Sequence, residues 1–423
     1  MVKEGEPTRA GDRVEVEIDG ALPTGEGTVG RMRIALAFPG ERVEARIDHI
    51  GKNATFGRAL RAIRPLRERR EAPCPQHEGR GGPCGGCALM DLGEGAQRAW
   101  KARVLREHFR LHVDEVQAPP AFWGYRMSVK RIAFGGPGRM RLGSYRRGTQ
   151  KPADMAGCRV EHPRVRAAAE SIVARFAAHG VGAAHEGKPG LRATWIRTDG
   201  EHTLVTLVVG GDVGSIRPAL EALAPDLNAS GVFLAMARGG SGDLRGDGLE
   251  LLYGIEVLTG FDVPVGPLGF LQPNPRIAAR MYETLLAGAQ GRTALDLYAG
   301  SGAISRRLAA RGFDVRSCER DAEGAAALGV EPQDALAFLQ RVVDAPDLIV
   351  ANPPRKGMGG AVAAELERIA ASRLHVMACG PAGLRRDLDA LPSYRVESLI
   401  AFDTLPQTPH CEVVAKLTHI DAV

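Results

Sequence analysis

No stretch of this 423-residue chain approaches the uninterrupted apolar length needed to cross a membrane, so none of its segments is expected to be membrane-embedded. Its first residues, MVKEGEPTRAGDRVEV, contain no apolar run of the kind a secretory signal carries, which leads us to expect a cytoplasmic protein. Long repeats and low-complexity tracts are missing, which argues against solenoid and linker architectures. Aromatic residues make up only 5% of the chain, and net charge is a mild +5. Seven cysteines are too few for a disulfide framework in a chain of this length, and in the cytosol they are expected to be free, catalytic or metal-bound.

What is present is unevenly placed. Between Lys52 and Arg67 there are five basic residues and no acidic one; between Ala121 and Lys151 there are eight and again none. Local positive stretches in a nearly neutral chain point to a polyanionic partner, because binding releases the counterions held by phosphates. The second stretch also carries Phe122, Trp123, Tyr125 and Tyr145, candidates for stacking on unpaired bases.

Pattern divides the chain into three. Residues 1–66 alternate apolar and polar positions between glycine turns, as expected of a small five-stranded barrel of the OB or SH3-like kind. Residues 67–265 begin with a segment rich in Pro, Gly and Cys that cannot build an apolar core. They continue with a helix over about 94–112, then strands and a helix near 162–178, giving an α+β unit with an antiparallel sheet. Residues 266–423 alternate strands with helices, which predicts a Rossmann-like α/β domain on a parallel sheet.

In the third unit, the run ALDLYAGSGAIS is a strand, a Gly-x-Gly turn and a helix start, with Asp296 ending the strand and Gly300 and Gly302 in the turn. Ser305 stands where a dinucleotide fingerprint would have its third glycine, which weakens a pyrophosphate reading. Glu319, at the end of the next strand, can accept from two ribose hydroxyls, so a nucleoside without a diphosphate, such as S-adenosylmethionine, fits better. Asn352-Pro353-Pro354 lies at the carboxyl edge of a later strand. Cys379 follows another strand and precedes a Gly-Pro helix start, where the positive end of the helix dipole is expected to lower the thiol pKa. His410 and Glu412, near the start of the last strand, are candidates to move a proton. Cys74, Cys84, Cys87 and Cys158 form the other cysteine group; four thiolates suit zinc or an iron–sulfur cluster equally well.

Taken together these segments resemble the 5-methyluridine RNA methyltransferases, and especially their iron–sulfur 23S rRNA branch. The resemblance covers most of the chain: the N-terminal barrel, similar to a TRAM domain, CPQHEGRGGPCGGCALMDL, GFLQPNP, LDLYAGSGAIS, NPPRKG, ACGPAGLRRDL and TPHCEVVAKL. It implies that Cys379 attacks C6 of a flipped-out uracil, that C5 then takes a methyl group from S-adenosylmethionine, and that Glu412 removes the C5 proton. It also implies that Gln272, Tyr298, Glu319 and Asn352 contact the cofactor or target base, with Asp334 at the adenine. Cys74, Cys84, Cys87 and Cys158 would bind a structural 4Fe–4S cluster. The RNA implied is 23S rRNA, with tRNA as the alternative; no protein partner is implied.

The chain departs from that family's pattern at the cofactor. Asn352 replaces an aspartate, Ala303 replaces an asparagine, and the stretch from Glu319 to Asn352 is short by a helix and a strand. Two other readings follow: a nitrogen methyltransferase using Asn352, and an RNA-binding protein with an eroded cofactor pocket.

Overall fold

The computed structural model describes residues 9–185, 187–238 and 243–422; residues 1–8, where the lack of an apolar run was noted, lie outside them. Three sheets organise the chain. The first has the lateral order Arg13–Glu17, Arg42–Ile50, Thr55–Arg64, Met32–Ala35, Gly27–Val29, Gly20–Ala21. Its alternation buries Val14, Ile34, Val43 and Ile47 on one side. Six strands pair here rather than five, because short segments between the glycine turns also join the ladder.

The second sheet runs Pro152–Asp154, Arg141–Tyr145, Ser128–Phe134, Gly190–Thr198, Thr203–Gly210, Gly231–Met236, Asp247–Gly254. It is antiparallel as expected except between Thr203–Gly210 and Gly231–Met236, which lie parallel because a crossover carrying the helix Arg217–Leu223 joins them. The helix Pro163–Ala178 starts with proline at its first turn, its N-cap His162 accepting from the Arg164 amide at 3.3 Å. It lays Val165, Ile172 and Phe176 against Ile196, Val205 and Leu207 of this sheet.

The third sheet positions the site. Its order is Asp314–Cys318, Thr293–Leu297, Leu348–Ala351, Arg373–Ala378, Glu412–His419, Tyr394–Phe402, Glu115–Gln117. The first four strands are parallel and end on a common carboxyl edge. The wholly parallel sheet expected from the alternation is corrected at Glu412–His419, which runs antiparallel to both neighbours. The reason is its connection to Tyr394–Phe402: nine residues, 403–411, too few for a helical crossover.

Between Cys318 and Leu348 the chain forms only the short helices Ala322–Leu328 and Ala335–Leu339, so Asp314–Cys318 is an edge strand. Arg316 on that edge lies over the Phe338 ring at 5.4 Å. A charged side chain so placed discourages pairing with another strand.

The helix Glu94–Phe109 and strand Glu115–Gln117 fall within 67–265 in the sequence, yet they pack with the third sheet. Leu105 and Leu111 are buried with Leu295, Val376 and Ala415, and Glu115–Gln117 pairs with Tyr394–Phe402. No helix among the described residues is long and apolar enough to cross a membrane.

Candidate active site

The Gly-x-Gly turn leaves the strand Thr293–Leu297 with Tyr298, Gly300 and Gly302 all at positive φ (59°, 56° and 89°). At Gly302 the left-handed φ of 89° favours glycine, and a Cβ there would also displace the tip of the Leu328 side chain. The Gly300 amide donates to Glu319 Oε2 at 2.9 Å, and the Asp321 amide to Oε1 at 2.7 Å. The Glu319 carboxylate thus fixes the turn while keeping lone pairs for a further donor.

Asn352 donates its amide to Leu297 O at 3.2 Å, which sets it beside the same turn. Asp334 caps the helix Ala335–Leu339 through the Leu336 amide at 2.9 Å and lies close enough to Tyr298 to help burial raise that phenol's pKa. Tyr298, Gly300, Gly302, Glu319, Asp334 and Asn352 therefore gather around one turn at the carboxyl edge of the sheet.

Beneath that turn, Asp296 is fully buried and accepts from Ser305 Oγ at 2.5 Å, and burial pushes its pKa up to about 7. Ser305, where the third glycine would stand, is thus used as a hydroxyl. Gln272 is half-buried, two residues ahead of Asn274, the N-cap of the helix Pro275–Leu286. Among the described residues it is not hydrogen-bonded to any other predicted site residue.

Cys379 sits one residue beyond the strand Arg373–Ala378, before the helix Pro381–Asp389. That strand pairs antiparallel with Glu412–His419, the last rung being Ala378 opposite Val413. Just past that rung, Cys379 comes close enough to Glu412 for the carboxylate to act on its thiol.

The loop after Asn352 packs onto both. A Cβ at Gly380 would come within 2.1 Å of Arg355 O, so only glycine lets the two loops touch. Asp387 holds the loop by accepting from the Met358 amide at 2.9 Å and the Gly359 amide at 3.2 Å.

Electrostatics ties three side chains together. Burial raises the Glu412 pKa to about 7, with Arg355 opposing. Burial, then Glu412, raises the Cys379 pKa, again with Arg355 opposing. The lowered thiol pKa expected from the helix dipole is therefore corrected: desolvation and a facing carboxylate outweigh it. Arg355, for which the sequence suggested no role, is the cation of the site; its signal was the arginine that follows Asn352-Pro353-Pro354. His410, the other proton-moving candidate, lies on the surface two residues before Glu412.

The other four cysteines share a second pocket. Cys74 and Cys158 are buried with Met90, Tyr125 and Val160, and Cys87 packs against them. All are free thiols. Burial drives the Cys87 pKa well up, and the sulfurs of Cys158, Cys84 and Cys74 add to it; burial pushes Cys158 up to about 12. Among the described residues no three His, Cys, Asp or Glu side chains are drawn tightly enough together to hold a single metal ion.

The basic stretches are less free than the sequence suggested, because acidic partners come from elsewhere in the chain. Arg61 pairs with Glu44, Arg64 with Glu17, Arg58 with Glu78, and Arg131 with the buried Glu161. Phe122 (8% exposed) and Tyr125 (4%) are core residues and cannot stack on RNA, whereas Tyr145 is 44% exposed.

Comparison with known proteins bears on the family and the fold. No family model matches the chain. An uncharacterized RNA methyltransferase of Gloeobacter violaceus is 30% identical over 450 residues, covering 96% of this chain and 96% of its own. One from Geobacter sulfurreducens is 29% identical, covering 98% and 91%. The 23S rRNA (uracil(747)-C(5))-methyltransferase RlmC of Vibrio vulnificus is 35% identical over 180 residues, 39% of this chain and 48% of its own. In fold, the chain matches the tRNA (uracil-54, C5)-methyltransferase of Pyrococcus abyssi, solved with S-adenosyl-L-homocysteine. The TM-score is 0.77 at 22% identity, covering 96% of this chain and all of that one.

Proposed function

This chain belongs to the RNA methyltransferases, and on that premise we propose that it methylates C5 of a uridine in RNA, using S-adenosylmethionine. The observation that carries this reading is the closeness of Cys379 and Glu412 at the adjoining ends of two paired strands, with Arg355 acting on both. C5 of uracil is a poor nucleophile; it becomes one when a thiolate adds to C6 and pushes electron density onto C5.

In this scheme Cys379 gives its proton to solvent water, with Arg355 stabilising the thiolate, and its sulfur bonds to C6. Bound S-adenosylmethionine supplies the electrophilic methyl group that C5 takes, and leaves as the thioether. Glu412 removes the C5 proton, the C5–C6 double bond re-forms, and the C6–S bond breaks to return the thiolate. A carboxyl group poised near pH 7 suits that step, because half of it is ionised at neutrality.

Tyr298, Gly300, Gly302, Glu319, Asp334 and Asn352 form the rim that would hold the nucleoside part of the cofactor, and we assign Gln272 to the target-base side. Asn352 offers a carbonyl oxygen without a charge. A nitrogen methyltransferase would leave the Cys379–Glu412 pair without a task, so we do not favour it.

The partner proposed is 23S rRNA, because a relative covering 39% of the chain bears that name, with tRNA the competing outcome. We propose Cys74, Cys84, Cys87 and Cys158 as the ligands of a 4Fe–4S cluster: two of these thiols are buried and two half-buried, and burial with neighbouring sulfurs disfavours the Cys87 thiolate, which a metal would hold deprotonated. When bound, such a cluster would staple the segment 74–87 to Cys158 and move no electrons in the reaction. The function is tested by nucleoside mass spectrometry of 23S rRNA and tRNA incubated with the protein and S-adenosylmethionine. Formation of 5-methyluridine is expected; methylation on nitrogen, or none, contradicts it.

A further inference from the structure

The connection 403–411, which leads into Glu412, is a loop without regular structure, yet Asp403, Thr404, Gln407, Thr408 and Cys411 are all buried. Buried loop backbone must find its hydrogen bonds elsewhere, and here the partners come from several separate segments. Lys101, fully buried, pairs with the fully buried Asp403 and reaches Leu405 O at 3.4 Å. Gln97 and Gln407 exchange two bonds: Gln97 Nε2 donates to Gln407 Oε1 and the Gln407 amide donates to Gln97 Oε1, each at 2.8 Å. Gln407 itself holds a left-handed φ of 72°, a conformation that costs free energy unless its surroundings enforce it. The Leu89 amide donates to Gln407 O at 2.9 Å, Tyr125 OH to Pro406 O at 2.9 Å, and Asn274 Nδ2 to Thr404 O at 3.1 Å.

Two of these contacts originate at the cysteine pocket. Leu89 is two residues beyond Cys87, and Tyr125 is buried among Cys74, Met90 and Cys158. Gln97 is bound to the same segment, since its Nε2 also donates to Leu92 O at 2.9 Å. Among the described residues, none of the three is hydrogen-bonded to Cys379 or Gly380.

We propose that the cysteine-bearing segment positions the general base: through Leu89, Gln97 and Tyr125 it fixes the loop 403–411, and with it the Glu412 carboxylate, while taking no part in the attack by Cys379. Gln97 and Tyr125 are positioning residues, acting through Gln407 and Pro406. This deepens the uracil-C5 reading and rests on it. The two steps of the reaction separate the claim from a general scaffold role, because attack needs Cys379 in place and elimination needs Glu412 in place.

The test uses full-length protein purified with its metal complement, in the variants Gln97→Leu and Tyr125→Phe, the second removing only a hydroxyl. Each is mixed with uridine-containing substrate RNA and methyl-labelled S-adenosylmethionine and quenched over time. We expect adduct formation at the wild-type rate and elimination slowed roughly tenfold, as for a base displaced from its working geometry. A methylated, denaturant-resistant RNA–protein adduct would then accumulate that wild type does not show, with RNA affinity unchanged. If both variants eliminate at the wild-type rate, or if attack and elimination slow together without adduct, the proposal is overturned. Failure of the uracil-C5 reading looks different: wild type would then give neither adduct on 5-fluorouridine RNA nor 5-methyluridine.

Discussion

Cys379 and Cys87 meet the same force, since burial raises the pKa of each by disfavouring the thiolate, but their neighbours differ. Beside Cys379 stand one carboxyl group, itself raised to about 7, and one arginine that favours the anion. Around Cys87 stand three more sulfurs, each adding to the resistance. At 379 the protein carries its own countercharge on the loop after Asn352, so the thiol can ionise when substrate arrives. In the other pocket burial raises Cys84, Cys87 and Cys158 alike, and at Cys87 the leading charged neighbours after burial are other sulfurs. Desolvation alone does not distinguish the two thiols; the charges facing each sulfur do.

The comparison breaks most decisively at the sulfur itself. Cys379→Ala is expected to lose methylation entirely, on the order of 10⁴-fold or more, while retaining RNA binding measured by filter retention. Glu412→Gln should keep the attack and lose the elimination. Turnover would fall about 10²- to 10⁴-fold, with a covalent methylated adduct visible on denaturing gels. Cys87→Ser addresses the other pocket: we expect loss of bound iron and sulfide by metal analysis and a lower melting temperature, while Cys379 still forms an adduct with 5-fluorouridine RNA in the protein that remains folded.

Arg355→Met removes the countercharge at 379. Without it the thiol pKa rises further, so the alkaline rise of the rate–pH profile should move to higher pH, and the rate at pH 7 should fall about tenfold for each pH unit of that move. The smallest effect is on stability. Glu412 is raised in the fold from 4.5 to about 7, so the folded state binds more protons in that window and stability falls as pH rises through it. Glu412→Gln should therefore melt higher than wild type at pH 8, on the order of 2 °C, with the difference vanishing below pH 4.

The turn around Gly300 and Gly302 was largely legible in the sequence. Strand–glycine–helix punctuation marked Gly300 and Gly302, and the following strand end marked Glu319; the shortness of 319–352 was noted, but that it leaves Asp314–Cys318 as an edge strand became apparent only in the fold. The Cys379–Glu412 pair was reached through resemblance, because residues thirty-three positions apart meet by an antiparallel register that composition does not encode. The stretch from Ala121 to Lys151 looked like open basic surface. Instead Tyr125 is roofed by the 403–411 loop and Arg131 is neutralised by Glu161, thirty residues on. Local charge counts miss such pairs, since the partner comes from another part of the fold. The sign of the Cys379 shift was missed for the same reason: the helix start is local, whereas Glu412 and the depth of the pocket are tertiary.

The most direct measurement is to mix the protein, S-adenosylmethionine and substrate RNA carrying 5-fluorouridine, digest the product, and locate any cross-linked nucleotide by mass spectrometry. Fluorine at C5 cannot be removed as a proton, so the reaction should halt with a methylated fluorouracil bonded through C6 to the sulfur of Cys379. A 5-methyluridine-forming protein that gives no such adduct, or gives one at another residue, would contradict the account.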